Sequence, residues 1–272
     1  MRHVLGKTLR TGLRTIATLR SLLPAPDGAR IITYHSVRPD GHGPRSSYVH
    51  PTDFHAQIGW LVGAGYQVVP LSALADRLAE KQAVPDNWAC ITFDDGYADN
   101  YLHAFPVLRH YGVPATVFLV TGKIDRDPNF LTLAQLKEMQ AHGIEFGGHT
   151  VDHVSLSSVA PEEARRQVLT SRQQLDALVS EPGRRHFCYP FGHYNAAVEG
   201  FVREAGYDTC CTEQAGSVTL ASDPLRLRRV GVLGTDTLRD FGLKVHGAYD
   251  WWINTYMQIE EWRRRRRGGL HA

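Results

Sequence analysis

A chain of 272 residues with 43% apolar and 21% charged residues has the composition of an ordinary globular protein, one large α/β domain or two small ones. Its four cysteines (Cys90, Cys188, Cys210 and Cys211) include two neighbours, which excludes a disulfide framework and favours a reduced, cytoplasmic setting. The net charge of +2 hides five basic residues and no acid in residues 1–26, and the same again in residues 263–272, leaving an acidic middle that argues against a specific nucleic-acid role.

In chain order, Leu5, Leu9, Leu13, Ile16, Leu19 and Leu23 recur at helical spacing among Arg2, Lys7, Arg10, Arg14 and Arg20. The longest uncharged run within the first 23 residues, 15–19, is far too short for a signal peptide or a membrane span. The segment therefore reads either as a helix lying in a membrane interface or as one packed on the domain. The breaker cluster at residues 24–28 ends it. The expected division is a basic amphipathic segment 1–26, a main domain 27–248, and an aromatic, arginine-rich tail 249–272.

A strand is predicted over 30–34, ending at His35, then a loop over 46–51, a helix over 52–62 and a strand over 66–69. A helix over 71–81 leads to a strand over 88–93, a helix over 100–111 and a strand over 115–120. A helix over 133–142, a strand over 144–146 and a long helix over 161–179 follow, the last with Pro161 well placed at its first turn. Short strands over 186–189, 208–212 and 227–230 enclose a helix over 196–205, and a helix over 238–246 closes the domain. Strands alternating with helices predict a parallel sheet covered by helices, either a barrel or a doubly wound sheet.

The chemistry sits at the strand ends. The apolar run 88–93 leads straight into Asp94, Asp95 and Gly96, and two adjacent carboxylates are costly unless one is paired with a cation and the other put to use. His149 and His153, just past the predicted strand 144–146, can share a metal with one of those carboxylates. Two histidines and one aspartate leave open coordination positions, which suits an activated water, and the spare carboxylate can serve as general base. Asp-Asp-Gly alone is often a turn, and two histidines four apart are often surface residues. Their joint occurrence at strand ends is what points to a hydrolase.

Thr92-Phe93-Asp94-Asp95-Gly96 followed by His149-Thr150-Val151-Asp152-His153 and by Phe187-Cys188-Tyr189-Pro190-Phe191-Gly192 resembles the polysaccharide deacetylase family (carbohydrate esterase family 4). The resemblance runs over about residues 29–247 and implies a distorted, incomplete (β/α) barrel. It further implies removal of acetyl groups from sugars with one divalent metal, usually zinc. Carried over by motif, Asp95, His149 and His153 match the metal ligands and Asp94 the general base. The backbone N–H of Phe191 matches the donor to the developing oxyanion, with Tyr189 and Pro190 beside it counted as substrate-binding. For the general acid the resemblance offers His246, in a Leu-x-x-His-like segment, and His35, which matches the Tyr-His segment of poly-N-acetylglucosamine deacetylases. His35 is preferred because it ends an apolar strand, whereas His246 falls on a predicted helix.

In one place the chain departs from the common pattern. Cys188 stands where many members carry an arginine that tethers the base, which again favours the poly-N-acetylglucosamine branch. Arg229 or Arg228 is a candidate replacement, and Arg229 is also counted among the substrate-binding residues. The aspartate-tryptophan motif that lines the acetyl pocket elsewhere is not evident after Tyr207. The resulting expectation is a deacetylase acting on N-acetylated amino sugars of a surface polysaccharide or its lipid-linked precursor. The alternatives are a deformylase of a lipid-linked amino sugar and a catalytically silent glycan-binding relative. A non-haem iron oxygenase shares the ligand set, but its usual jelly roll does not fit this alternation. The basic ends, with Trp251, Trp252, Ile259 and Trp262 beside Arg263 to Arg267, suit an anionic membrane surface and suggest an enzyme peripheral to the inner leaflet.

Overall fold

The protein is described by a computed structural model over residues 7–20, 26–39, 47–179 and 185–268. The strands are β1 (Arg30–Tyr34), β2 (Ser36–Val37), β3 (Tyr48–Val49), β4 (Gln67–Val68), β5 (Trp88–Phe93), β6 (Ala115–Leu119), β7 (Ile144–Gly148), β8 (His186–Cys188), β9 (Thr209–Cys211) and β10 (Val230–Gly231). The helices are α1 (Lys7–Arg20), α2 (Pro51–Gly63), α3 (Leu71–Ala79), α4 (Phe105–Tyr111), α5 (Leu133–Gln140), α6 (Pro161–Leu178), α7 (Ala196–Glu204), α8 (Leu238–Val245) and α9 (Asp250–Gly268).

The main sheet runs β10-β1-β5-β6-β7-β8-β9, with β4 against the first residues of β5, and its pairings are parallel. Leu227 bridges Cys211 on β9, while Val230 and Gly231 pair with Ile32 and Thr33 on β1. Residues 227–231 thus leave one edge of the sheet for the other and close the ring irregularly. This is the distorted, incomplete barrel expected.

Strand alternation sorts the side chains into two layers. Ile32, Tyr34, Ala89, Ile91 and Phe93 pack under the helices. Ile31 and Cys90 instead join Phe118, Cys188, Cys211 and Leu227 inside the ring, whose lower end α3 plugs with Leu71, Leu74 and Leu78. Thr92 and Asp94 continue the inward set, so Asp94 emerges from β5 at the upper mouth, where the strand C-termini of barrel enzymes carry their sites.

Three segments differ from the sequence expectation. Residues 48–49, expected as loop, form β3 and pair with β2 in the register Ser36↔Tyr48; strands of two residues are too short for any periodicity to show. The expected helix over 100–111 begins as a π-helical turn at Asn100–Ala104. Pro106, with no N–H to donate, sits in the first turn of the regular helix that follows. Beyond the main domain, the expected tail contains helix α9. Arg30 anchors its first turn, with Nη1 and Nη2 each 2.8 Å from a carboxylate oxygen of Asp250.

α1 meets α8 and the start of α9. Leu13 and Ala17 of α1 are buried against Leu243, Ala248 and Tyr249, with Trp251, Trp252 and Ile253 half-buried beside them. Arg14 forks onto Asp240, with Nε 2.9 Å from Oδ1 and Nη2 2.5 Å from Oδ2. Arg20 lies 5.9 Å from the centroid of the Trp251 ring. Leu5, Leu23, Arg2 and the start of the breaker cluster lie outside the described residues, as do the side chains of Leu9, Trp262 and Arg263 to Arg267. No helix among the described residues is long and apolar enough to cross a membrane.

Candidate active site

β5 delivers both carboxylates to the mouth of the ring, and the backbone then turns sharply, with Asp95 at φ 75 and Gly96 at φ 79. The Asp94 N–H bonds to the Tyr34 carbonyl at 2.9 Å, and Val120 donates to the Asp95 carbonyl at 3.2 Å. Past β7, Thr150 at φ 67 and His153 at φ 56 put the two histidines on a kinked loop, not on one helical face. That loop is pinned throughout. His149 donates its N–H to Leu119, Thr121 and Gly122 donate to Thr150 and Val151, and Gln167 Oε1 accepts from Val151 and Asp152. Left-handed backbone at a β-branched threonine is costly, and such strain persists only where surrounding contacts over-determine it.

The geometry separates the two aspartates. Asp94 is buried and forked by Arg229, with Nη1 2.7 Å from Oδ1 and Nη2 2.8 Å from Oδ2. Burial alone would raise its pKa, but the guanidinium charge and its two hydrogen bonds outweigh that and hold the carboxyl well below the usual range. Asp95 instead faces the imidazoles, with Oδ1 3.7 Å from His149 Nε2 and 3.3 Å from His153 Nε2. Ligands on a tetrahedral ion with bonds of about 2.0–2.1 Å stand roughly 3.3 Å apart, so these three atoms fit one small divalent cation. His149 Nδ1 lies 2.7 Å from the Cys188 carbonyl, which fixes the tautomer that leaves Nε2 free. Burial lowers the pKa of His149 against the pull of both aspartates, which favours the neutral, ligating imidazole.

Asp94, His149 and Cys188 form a second cluster of candidate ligand atoms. It competes poorly, because Asp94 is already held by Arg229 and burial pushes the Cys188 thiol well up from its ordinary value.

His35 reaches the mouth from the end of β1. Its Nε2 is 3.9 Å from Asp94 Oδ2 and its side chain is 46% exposed. His246 is elsewhere, capping α8 with its ring against Trp60 and Tyr66. Phe191, at φ 60 and exposed, lays its ring 4.6 Å from that of His153.

Three residues expected to touch substrate do not offer it a surface. Tyr189 is buried with its hydroxyl on the Leu225 carbonyl at 3.2 Å, and Pro190 is buried beside it, so both support the Phe191 turn. Arg229, also fully buried, is committed to Asp94. It takes the tethering place that Cys188 vacates, reaching it from the other side of the ring. Arg228, its neighbour, is exposed and donates to the Ala215 carbonyl at 3.4 Å, away from Asp94. Parity explains the split, since adjacent residues of an extended segment face opposite ways.

An incomplete parallel barrel with an Asp-His-His set able to hold a metal ion, a tethered carboxylate and a histidine at its strand C-termini fits a hydrolase of the carbohydrate-deacetylase class. A family model described as polysaccharide deacetylase matches residues 81–210. The protein YxkH of Bacillus subtilis, named for the same activity, is 33% identical over 202 residues, covering 74% of this chain and 70% of that one. The chain belongs to the polysaccharide deacetylase family. The poly-beta-1,6-N-acetyl-D-glucosamine N-deacetylase of Escherichia coli K12 is 23% identical over 260 residues, and the match spans only 38% of its length. The solved Streptococcus pyogenes deacetylase PplD superposes with a TM-score of 0.73 at 25% identity, covering 81% of this chain and 99% of that one.

Proposed function

We propose that the protein removes N-acetyl groups from amino sugars of a poly-N-acetylglucosamine-type surface glycan or its lipid-linked precursor. The observation that carries this reading is the convergence at one mouth of the Asp95–His149–His153 set, the Arg229-bound Asp94 and the half-exposed His35. Asp95 Oδ1, His149 Nε2 and His153 Nε2 would hold one divalent ion, for which zinc suits the nitrogen-rich set. Such an ion supplies Lewis acidity, polarising the acetyl carbonyl and acidifying a water. Asp94, kept ionised by Arg229, orients the attacking water and accepts its proton. The N–H groups of Gly192 and His193 are taken by the Tyr189 and Pro190 carbonyls, and that of Phe191 is assigned to the developing oxyanion. His35 gives the leaving amine its proton. The test is acetate release from N-acetylglucosamine oligomers, lipid-linked N-acetyl sugars and their N-formyl counterparts, with and without zinc. Release of formate only would move the reading to the deformylase alternative, and release of neither acyl group to a silent glycan binder.

The acid assignment carries its own expectation. His35→Ala should lower turnover by about 10²–10⁴-fold, while His246→Ala leaves it near the parent value. The reverse pattern in kcat would transfer the role to His246.

The place of work is proposed as the inner leaflet. α1 packs against α8 and the first turns of α9, and Ile16 and Leu19 of α1 remain exposed, as does Ile259 farther along α9. Each basic residue near an anionic surface is worth about 1 kcal/mol. Sedimentation with anionic vesicles but not neutral ones is expected, and equal recovery with both would discard the membrane role.

A further inference from the structure

We infer that Glu213 is a positioning residue of this site. As the second carboxylate on the Arg229 guanidinium, it fixes Asp94 through that arginine and adds a negative charge to the cluster that faces a divalent cation. The inference rests on the deacetylase reading for its kinetic part only.

Each N–H direction of Arg229 has a partner. Nε donates to the Thr212 carbonyl at 3.0 Å. Nη1 serves Asp94 Oδ1 at 2.7 Å and Thr33 Oγ1 at 3.0 Å. Nη2 serves Asp94 Oδ2 at 2.8 Å and Glu213 Oε1 at 2.5 Å, with Cys188 Sγ 3.1 Å away. The plane of the guanidinium, and so the plane of the Asp94 carboxylate, is set from both sides, with Glu213 supplying the charged contact opposite Asp94. Glu213 is 30% exposed while Arg229 is sealed, so the pair links a surface carboxylate to a buried one.

Charge leads to the same residue. Asp94, Asp95 and Glu213 bring three carboxylates to the Arg229 cluster, and Glu213 contributes one of those negative charges; removing it leaves less anionic charge to face a divalent cation in a largely buried setting. A second contact concerns the oxyanion side. Gly192 sits at φ 66, and a Cβ built on it would come within 2.8 Å of Glu213 Cβ and 2.9 Å of its Cγ. The Phe191–Gly192 turn therefore rests on the Glu213 stem, and one side chain supports both the base tether and the proposed oxyanion donor.

The experiment compares full-length parent, Glu213→Gln and Glu213→Ala proteins by zinc calorimetry, melting temperature and steady-state deacetylation of an N-acetylglucosamine oligomer. Glu213→Gln keeps the stem and an oxygen acceptor but removes the charge, so it should fold like the parent. Its zinc affinity and kcat are each expected to fall by about 10–100-fold, with KM little changed. Glu213→Ala should lose more kcat, because the turn loses its support. A merely structural role would lower the melting temperature and leave kcat of the folded protein and zinc affinity alone. Zinc affinity unchanged in Glu213→Gln overturns the inference, as does a kcat within about twofold of the parent in both variants. If the parent is inactive on every glycan while zinc binding still weakens in Glu213→Gln, the functional reading fails and the positioning role stands.

Discussion

Asp94→Asn is expected to abolish acetate release while the protein still binds its metal. An amide accepts no proton from the attacking water, and loss of a general base costs about 10²–10⁴-fold in turnover. The ligand set is spared because Asp95, not Asp94, faces the two imidazoles, at 3.7 Å from His149 and 3.3 Å from His153, so the metal is retained although the lost charge lowers its affinity as in Glu213→Gln. The change also has a stability cost. The asparagine NH₂ would be turned toward a guanidinium that offers only donors, and breaking a buried ion pair costs about 3–5 kcal/mol. The second carboxylate on Arg229 softens that loss. Turnover and metal content should be measured on folded protein, with melting followed separately. Metal lost while turnover survives would exchange the roles of Asp94 and Asp95.

For His149→Ala, metal content and activity should fall together to background. His149 is one of only three protein ligands, and two remaining ligands make a poor zinc site. The substitution also frees the Cys188 carbonyl that His149 Nδ1 occupies at 2.7 Å, leaving a buried acceptor to find water in the new cavity. Elemental analysis after dialysis against zinc is the direct measurement. Full occupancy in the variant would mean that the ion is held elsewhere and that the triad is a set of ordinary hydrogen-bonding residues.

Much of the fold is legible because its signals are local. β5 spans the predicted residues 88–93, and α6, α7 and α8 end within a residue of expectation, since apolar periodicity and breaker residues mark them. β2 and β3 were not legible, because strands of two residues have too few positions to show a period. β10 begins at Val230, at the end of the expected 227–230 strand, because the closing segment changes partners midway, from Cys211 to β1. The site divides the same way. Asp94, Asp95, His149 and His153 lie within short motifs at strand tips, and His35 ends an apolar run. Glu213 belongs to no motif, and nothing in the sequence pattern singles it out.

The sequence by itself determined the family-like motifs and the alternation that builds the barrel, and it named the candidate site residues within those motifs, because each depends on residues adjacent along the chain. Which of those side chains meet was decided by tertiary structure. Arg229 reaches Asp94 across 135 residues of sequence, and it does so only because the closing segment runs beside β1, which lies against β5. The same closure gave Arg229 the inner face and Arg228 the outer one, a choice of parity that pattern alone could not make. The tautomer of His149 likewise depends on β8 lying next to β7, which sets the Cys188 carbonyl against its ring. Sequence spacing names the donors and acceptors, but distances between them exist only once parallel strands far apart in the chain are brought to about 4.8 Å of one another.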